Sequence, residues 1–78
     1  MFLEIITPEK KLFSGEAKSI KLPGTDGSFG ILDDHAAMIA SLKQGTVKVV
    51  NDKNTTENCA INGGVVEVLK NKVILLAE

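Results

Sequence analysis

Residues 65–77, VVEVLKNKVILLA, contain two strand-like segments with a turn signal between them. In the first segment valines alternate with Glu67, and such alternation is typical of a half-buried β-strand. Lys70-Asn71 is the turn signal. The second segment, Val73–Ala77, is apolar throughout, which favours a strand that is covered on both faces or lies at the centre of a sandwich. The stretch therefore predicts β-structure.

The same patterns occur in the rest of the chain. Ile20 and Leu22 alternate with polar neighbours, as do Val47 and Val49, and Phe2–Thr7 is mostly apolar. Turn residues separate the segments at Thr7-Pro8-Glu9, Pro23-Gly24, Asp26-Gly27, Gln44-Gly45, Asn51–Asn54, Asn62-Gly63-Gly64 and Lys70-Asn71. Many short strands with frequent turns predict an all-β fold, a small antiparallel β-sandwich or flattened barrel.

One segment is ambiguous between helix and strand. Asp33 and Asp34 are good helix N-cap residues, and the alanine-rich sequence HAAMIASLK follows them. A lone short helix is marginally stable, however, and the surrounding segments are all strand-like. We therefore predict a strand over Met38–Leu42.

Composition limits the classes of function. The 78 residues predict one domain, residues 1–78, with an ordinary globular share of 44% hydrophobic residues. The net charge is −1, and the nine basic residues are all lysines without a run, in a chain that lacks Arg, Trp and Tyr. Nucleic-acid binders concentrate basic and aromatic residues on one face. Nucleic acid is therefore not expected as a partner.

The sequence shows no disulfide pattern, leader sequence or membrane-spanning segment, and this limits the cellular locations that we expect. A lone cysteine, Cys59, forms no internal disulfide, and the sequence opens without a charged and then apolar leader. No apolar run reaches the roughly 20 residues that span a bilayer. We expect a cytosolic protein whose membrane association is peripheral or occurs through a partner.

Pro23–Gly45, PGTDGSFGILDDHAAMIASLKQG, is typical of a contact surface. Glycines that permit tight reversals precede an apolar segment, so a shaped loop followed by Met38, Ile39 and Leu42 indicates docking. Phe29, an aromatic residue within the glycine-rich stretch, is either a plug folded into the core or an anchor for a partner.

Catalytic and ligand-binding interpretations of the polar residues are weaker. Asp33-Asp34-His35 lacks the nucleophile that catalysis needs and the further ligands that a metal needs. Cys59 lies within an alternating segment and is interpreted as a small apolar residue rather than as the thiol of a dyad with His35. The loop at Gly24–Gly30 lacks the Gly-Lys-Ser/Thr and helix start of a phosphate loop. No cofactor is expected.

A rival function concerns Lys53. Asp52-Lys53 lies in a predicted hairpin turn, and lipoyl carrier domains of similar size carry a modified lysine after an aspartate at a hairpin tip. The flanking Asn51 and Asn54 differ from the usual neighbours of that lysine. An exposed lysine in a polar turn is ordinarily just solvated.

Motifs along nearly the whole chain resemble the epsilon subunits of bacterial F-type ATP synthases. They are Phe13-Ser14-Gly15, Pro23-Gly24-x-Asp26-Gly27-x-Phe29-Gly30-Ile31-Leu32-x-x-His35-Ala36, Leu42-Lys43-x-Gly45 and Gly63-Gly64-x-x-Glu67-Val68-x-x-x-Lys72-Val73-x-x-Leu76-Ala77. The resemblance implies a β-sandwich of about ten short strands in two sheets. It also implies a non-catalytic rotor subunit of the central stalk, peripheral at the cytoplasmic face of the bacterial plasma membrane.

The same resemblance implies two contact regions. The gamma subunit is expected to bind Thr7, His35, Met38, Ile39 and Ala40, and the c ring is expected to bind Asp26, Gly27, Ser28, Phe29 and Gly30. Successive side chains on a strand point to opposite faces, so at most one of Met38 and Ile39 can turn into the domain's own core.

Two departures from the family pattern change the expectations. Asp33-Asp34 replaces the Pro-Gly that commonly precedes the histidine, which leaves this loop less stiff. The sequence ends at Ala77-Glu78, where most members continue into two helices. We therefore expect docking and coupling without helix-based inhibition of ATP hydrolysis and without ATP sensing.

Overall fold

Nine β-strands and no helix make up the computed structural model, which describes all residues, 1–78. The strands are β1 (Phe2–Ile6), β2 (Lys11–Glu16), β3 (Ser19–Gly24), β4 (Gly27–Leu32), β5 (Met38–Leu42), β6 (Gly45–Val50), β7 (Thr56–Ile61), β8 (Gly64–Leu69) and β9 (Lys72–Ala77). The all-β prediction is confirmed, with nine strands against about ten expected. The ambiguous segment is strand β5, as predicted.

The strands lie in two layers that are joined at one point. The order β2-β1-β9-β8-β5 forms a five-stranded layer, and β4-β3-β6-β7 forms a four-stranded layer. Gly24 and Leu42 are the only paired residues between β3 and β5, where the layers meet. Most pairings are antiparallel as expected, but β1 and β9 pair in parallel. A parallel neighbour requires a long crossover, and here almost the entire chain separates the two strands.

The core lies between the two layers. Its fully buried members come from alternate positions of facing strands, as period-two segments require. They are Leu3, Ile5, Val66, Val68, Val73 and Leu75 from the five-stranded layer and Ile20, Ile31, Leu22, Val47 and Val49 from the other. No polar or charged residue is buried. Burial of each large aliphatic side chain contributes about 1.5–3 kcal/mol, so this cluster dominates stability.

Pro23-Gly24 is not a turn, contrary to the prediction from sequence. Both residues are the last positions of β3, opposite Ser28 and Gly27 of β4, and the turn consists of Thr25-Asp26. A Cβ on Gly24 would be 2.5 Å from the carbonyl oxygen of Gly27, its partner in the β3–β4 hairpin. Glycine is required at this position by close backbone approach rather than by a reversal.

The outer face of β9 also differs from the prediction. Val73–Ala77 was expected to be covered on both faces, or at the centre of a sandwich, and β9 is indeed the middle strand of its layer. Its outward side is nevertheless uncovered, because Leu76 is 56% exposed. An antiparallel sheet with one solvated face ordinarily alternates apolar-in and polar-out. Packing in the domain's own core therefore does not explain why the outer positions of this strand carry apolar residues.

Candidate functional site

The outer face of the five-stranded layer carries apolar side chains in adjacent rows. In one row Val65 of β8 lies opposite Leu76 of β9, which lies beside Ile6 of β1. In the next row Ile39 of β5 and Ile74 of β9 flank Glu67. We call this surface the apolar face and define it by Ile6, Ile39, Val65, Leu69, Ile74 and Leu76.

The exposure of this face makes it a candidate contact surface. Ile39 is 72% exposed, and Leu69, Val65 and Leu76 are 53%, 42% and 56% exposed. Single exposed apolar residues are ordinary, whereas contiguous apolar patches rimmed by polar residues mark interaction sites. The rim is polar here, since the Lys11 ammonium lies 2.9 Å from the Glu4 carboxylate. That hydrogen bond holds the pKa of Glu4 below its usual value.

A groove lies between β5 and the β3–β4 hairpin. Residues 24–27 and Phe29 line one side, and residues 38–41 line the other. On the side of β5 that faces the hairpin, Leu42 is the only residue that pairs with another strand. The backbone of Met38–Ala40 is therefore open on that side. Unpaired strand edges are templates for partner binding. The groove brings together residues that the resemblance assigned to two different partners, the gamma subunit and the c ring.

The five residues expected at the c ring belong to a hairpin rather than to a shaped loop. Asp26 is exposed in the two-residue turn, and Gly27–Gly30 begin strand β4. Ser28 and Gly30 point outward, whereas Phe29 is half-buried and packs against the core. The ring of Phe29 also lies over Gly24. Of the two interpretations of Phe29, the structure therefore favours the plug.

The residues expected at the gamma subunit divide between the two faces of β5. Met38 and Ala40 are half-buried and pack against the core, whereas Ile39 points outward. Met38 and Ile39 are adjacent on the strand, so their side chains must point to opposite faces. Met38 is the one that turns inward. Ile39 is therefore the member of this group that belongs to the apolar face.

Thr7 lies apart from the other gamma-contact residues. It follows β1, and β9 and β8 separate β1 from β5. Three strand spacings correspond to roughly 14 Å. The Thr7 hydroxyl accepts hydrogen bonds from the amides of Glu9 and Lys10, which orders the β1–β2 turn. The structure thus gives Thr7 a local role and does not place it beside Met38.

Asp33-Asp34-His35 forms an ordered connection between β4 and β5. The N-terminal ammonium of Met1 donates to the Asp33 carboxylate, which raises the pKa of the ammonium. Asp34 has a positive φ of 60° and its amide donates to the Asn71 side chain at 2.8 Å. His35 is half-buried, and its Nδ1 lies 2.8 Å from the Ala36 carbonyl oxygen. No group of three or more acidic, histidine or cysteine side chains converges here or elsewhere in the chain.

Cys59 packs partly against the core from β7, an edge strand of the four-stranded layer. Burial, and secondarily the Glu57 carboxylate, raise the pKa of its thiol.

The thiolate is the reactive form, so at pH 8 we expect native Cys59 to react with iodoacetamide roughly fivefold or more slowly than in the unfolded chain. Mass spectrometry of quenched samples measures both rates. The Glu57→Gln variant should accelerate the native reaction only slightly, and equal native and unfolded rates would contradict the assignment.

Lys53 occupies the exposed β6–β7 turn, as the carrier alternative requires. Its amide donates to the Asn51 side chain at 2.9 Å, and Asn54 has a positive φ of 60°. Asn51 and Asn54 thus have a structural purpose in this turn, because asparagine side chains order turns and tolerate positive φ. The turn is explained without modification of the lysine.

Sequence reasoning missed most of the apolar face. Ile6, Val65, Leu69, Ile74 and Leu76 were not among the predicted contact residues. The continuous apolar run at Val73–Ala77 was the available signal, because a strand with one solvated face has no structural need for apolar residues on both sides. Which strands lie beside it, and hence the extent of the face, depends on pairings distant in sequence.

The chain matches the family model of the ATP synthase delta/epsilon chain β-sandwich domain over residues 1–78. It is similar to the ATP synthase epsilon chain of Campylobacter fetus subsp. fetus, with 45% identity over 97% of this chain and 59% of that protein. The ATP synthase epsilon chain of Chlorobium limicola is also 45% identical, over 97% of this chain and 86% of that protein. The chain thus spans about three-fifths of the length of the Campylobacter relative.

Two solved structures share the fold. A chain of the Euglena gracilis mitochondrial ATP synthase (OSCP/F1/c-ring) matches with a TM-score of 0.90 at 19% identity, over 96% of this chain and 48% of that chain. A chain of the Tetrahymena thermophila mitochondrial ATP synthase central stalk and c-ring matches with a TM-score of 0.82 at 22% identity, over 99% and 62%. With the family model matching every residue, this chain belongs to the β-sandwich domain family of ATP synthase delta/epsilon chains.

Proposed function

We propose that this chain acts as a non-catalytic rotor component of an F-type ATP synthase. In this role it docks on the gamma subunit and the c ring of the central stalk and helps to couple ion-driven rotation to ATP synthesis. The epsilon-chain relatives and the fold shared with chains of ATP synthase assemblies support this role. The chain has no helix long and apolar enough to cross a bilayer. From the similarity to epsilon chains we also propose peripheral attachment at the cytoplasmic face of the bacterial plasma membrane, through the complex.

The apolar face is the observation that carries the proposal. It extends from the β5 edge across β8 and β9 to β1, and its members alternate with residues that lie in the core or pack against it. Its outward residues therefore do not contribute to the domain's own core. Aliphatic side chains of this kind gain free energy only when a partner removes them from water. We assign this surface, together with the open edge of β5, to the gamma subunit.

The β3–β4 hairpin is the part of the chain that we assign to the c ring. Its tip, Thr25-Asp26, projects from the point where the two layers meet, and Ser28 lies outward beside it. Glycine and short polar residues in a defined hairpin bind polar loops at little ordering cost. The adjoining groove makes the two assigned surfaces contiguous, as a subunit that binds both partners requires.

A calorimetric titration of the chain into the purified gamma subunit tests this function. We expect one-to-one binding with a negative heat-capacity change, because the contact buries apolar surface. A chain that is folded by circular dichroism but binds neither isolated gamma nor a gamma–c-ring complex would contradict the proposal. Binding only to the gamma–c-ring complex would locate the main contact at the hairpin instead of the apolar face.

A further inference from the structure

The outer face of the four-stranded layer differs in chemistry from the apolar face. Its outward positions carry two ionisable groups, Lys21 and Lys48, and no carboxylate. The remaining outward residues of β3, β4, β6 and β7 are uncharged: Ser19, Ser28, Gly30, Leu32, Thr46, Val50, Thr56, Asn58 and Ala60. This face is therefore positively charged in a chain whose net charge is −1.

The two lysines lie directly opposite each other. Lys21 of β3 pairs with Lys48 of β6 in antiparallel register, so their Cβ atoms are about 4.5–5.5 Å apart. Neither lysine forms an ion pair. Like charges directly opposite on a sheet destabilise it, and an anion that contacts both ammonium groups would relieve the repulsion.

A hollow lies beside this lysine pair. Gly30 pairs with Lys21 on the side away from Lys48 and has no side chain, and an open space of about 400 Å³ adjoins these residues. Leu32 and Val50 contribute apolar walls, and Ser19 and Ser28 contribute hydroxyl groups. A concave space of this size with an apolar lining and a few convergent polar groups is suited to a small ligand.

We propose that this hollow binds a phosphate ester. The ammonium groups of Lys21 and Lys48 contact the phosphate oxygens. The organic part of the ester lies over Gly30 and against Leu32 and Val50, which flank Ser19 in the next row. Lysine binds phosphate as a point charge. Two lysines in fixed register therefore supply two positive charges to one phosphate group without an arginine. The ester is either a soluble metabolite or the headgroup of an anionic lipid, since both present the same chemistry.

Titration of the ¹⁵N-labelled chain with phenyl phosphate and with inorganic phosphate tests the site by NMR. We expect saturable amide shifts at Gly30 and Val50, with phenyl phosphate bound more tightly because the walls are apolar. The double variant Lys21→Gln/Lys48→Gln should weaken binding at least tenfold. The matched control Lys43→Gln/Lys53→Gln removes two exposed lysines elsewhere and should leave the affinity unchanged. Equal losses in both double variants, or no saturable shift, would overturn the proposal.

A variant that fills the hollow distinguishes binding within the hollow from nonspecific attraction to the two lysine charges. A Cβ at Gly30 would meet only the Ile20 carbonyl oxygen, at 3.6 Å, so Gly30→Leu is expected to fold. It should abolish phenyl phosphate binding although both lysines remain. Retained affinity in a folded Gly30→Leu variant would contradict a site at this position.

Vesicle sedimentation distinguishes the two sources of the ester. Vesicles of phosphatidylcholine with phosphatidic acid are compared with phosphatidylcholine alone. Sedimentation that requires phosphatidic acid and is lost in both the lysine double variant and Gly30→Leu supports a lipid headgroup. Phenyl phosphate binding without sedimentation supports a soluble ester. Sedimentation that survives both substitutions, without phenyl phosphate binding, counts against the proposal.

Discussion

Ile39→Asp is expected to weaken binding to the gamma subunit roughly 30-fold or more, corresponding to about 2 kcal/mol for a residue central in an interface. Ile39 is the most exposed of the large apolar side chains and lies on β5, where the apolar face meets the groove. The substitution removes an apolar contact and would place an uncompensated carboxylate in a desolvated interface. Calorimetric titration of wild type and variant into gamma measures the loss.

Because the Ile39 side chain lies outside the core, the loss of stability should be limited to repulsion between the new carboxylate and Glu67, which lies opposite on β8. The matched control is Thr46→Asp, which adds the same charge at an exposed strand position on the opposite layer. We expect the control to bind gamma like wild type. An Ile39→Asp chain that is folded and binds gamma with unchanged affinity would show that the apolar face is not the docking surface.

Met38→Lys is a poorer test of docking than Ile39→Asp. Met38 looks equally suitable from sequence, but it packs against the core. A lysine there would disturb the fold as well as any contact, because a charge beside the core must be desolvated or displace its neighbours. The choice of test residue thus depends on which of two adjacent side chains points outward.

Leu75→Ala is expected to reduce the free energy of unfolding by about 3–5 kcal/mol. Leu75 is fully buried in β9, the middle strand of its layer, beside Ile5 and opposite Val66. Its truncation removes apolar burial and leaves a cavity between strands that cannot move closer together. Since domains of this length have unfolding free energies of roughly 4–12 kcal/mol, the variant loses a large part of its stability. Urea denaturation followed by circular dichroism measures the change.

Leu76→Ala is the matched control for Leu75→Ala. It makes the same chemical change at the next residue, which is 56% exposed on the apolar face. We expect its free energy of unfolding to fall by less than about 1 kcal/mol, because surface substitutions remove little burial. Its affinity for gamma should fall instead. Similar destabilisation by the two substitutions would mean that the assignment of inner and outer positions on β9 is wrong.

Local sequence patterns were sufficient to predict the class of fold. Period-two alternation around Glu67 and along Thr46–Val50, with turn residues between segments, specifies strands because successive side chains must point to opposite faces. The same rule, applied to Met38 and Ile39, predicted that only one could join the core, and the motifs spaced along the chain predicted the family that the family model confirms.

The tertiary structure decided what no local pattern encodes. Pro23-Gly24 is strand rather than turn because both residues pair with β4, and Gly24 also pairs with Leu42 of β5. The close approach of the Gly27 carbonyl oxygen leaves no room for a Cβ on Gly24. The parallel pairing of β1 with β9 brings Ile6 beside Leu76 and so completes the apolar face. Opposition of Lys21 and Lys48 likewise requires the register between β3 and β6. Alternation along a strand determines which side chains share a face, but only pairing between distant strands determines which faces become one surface.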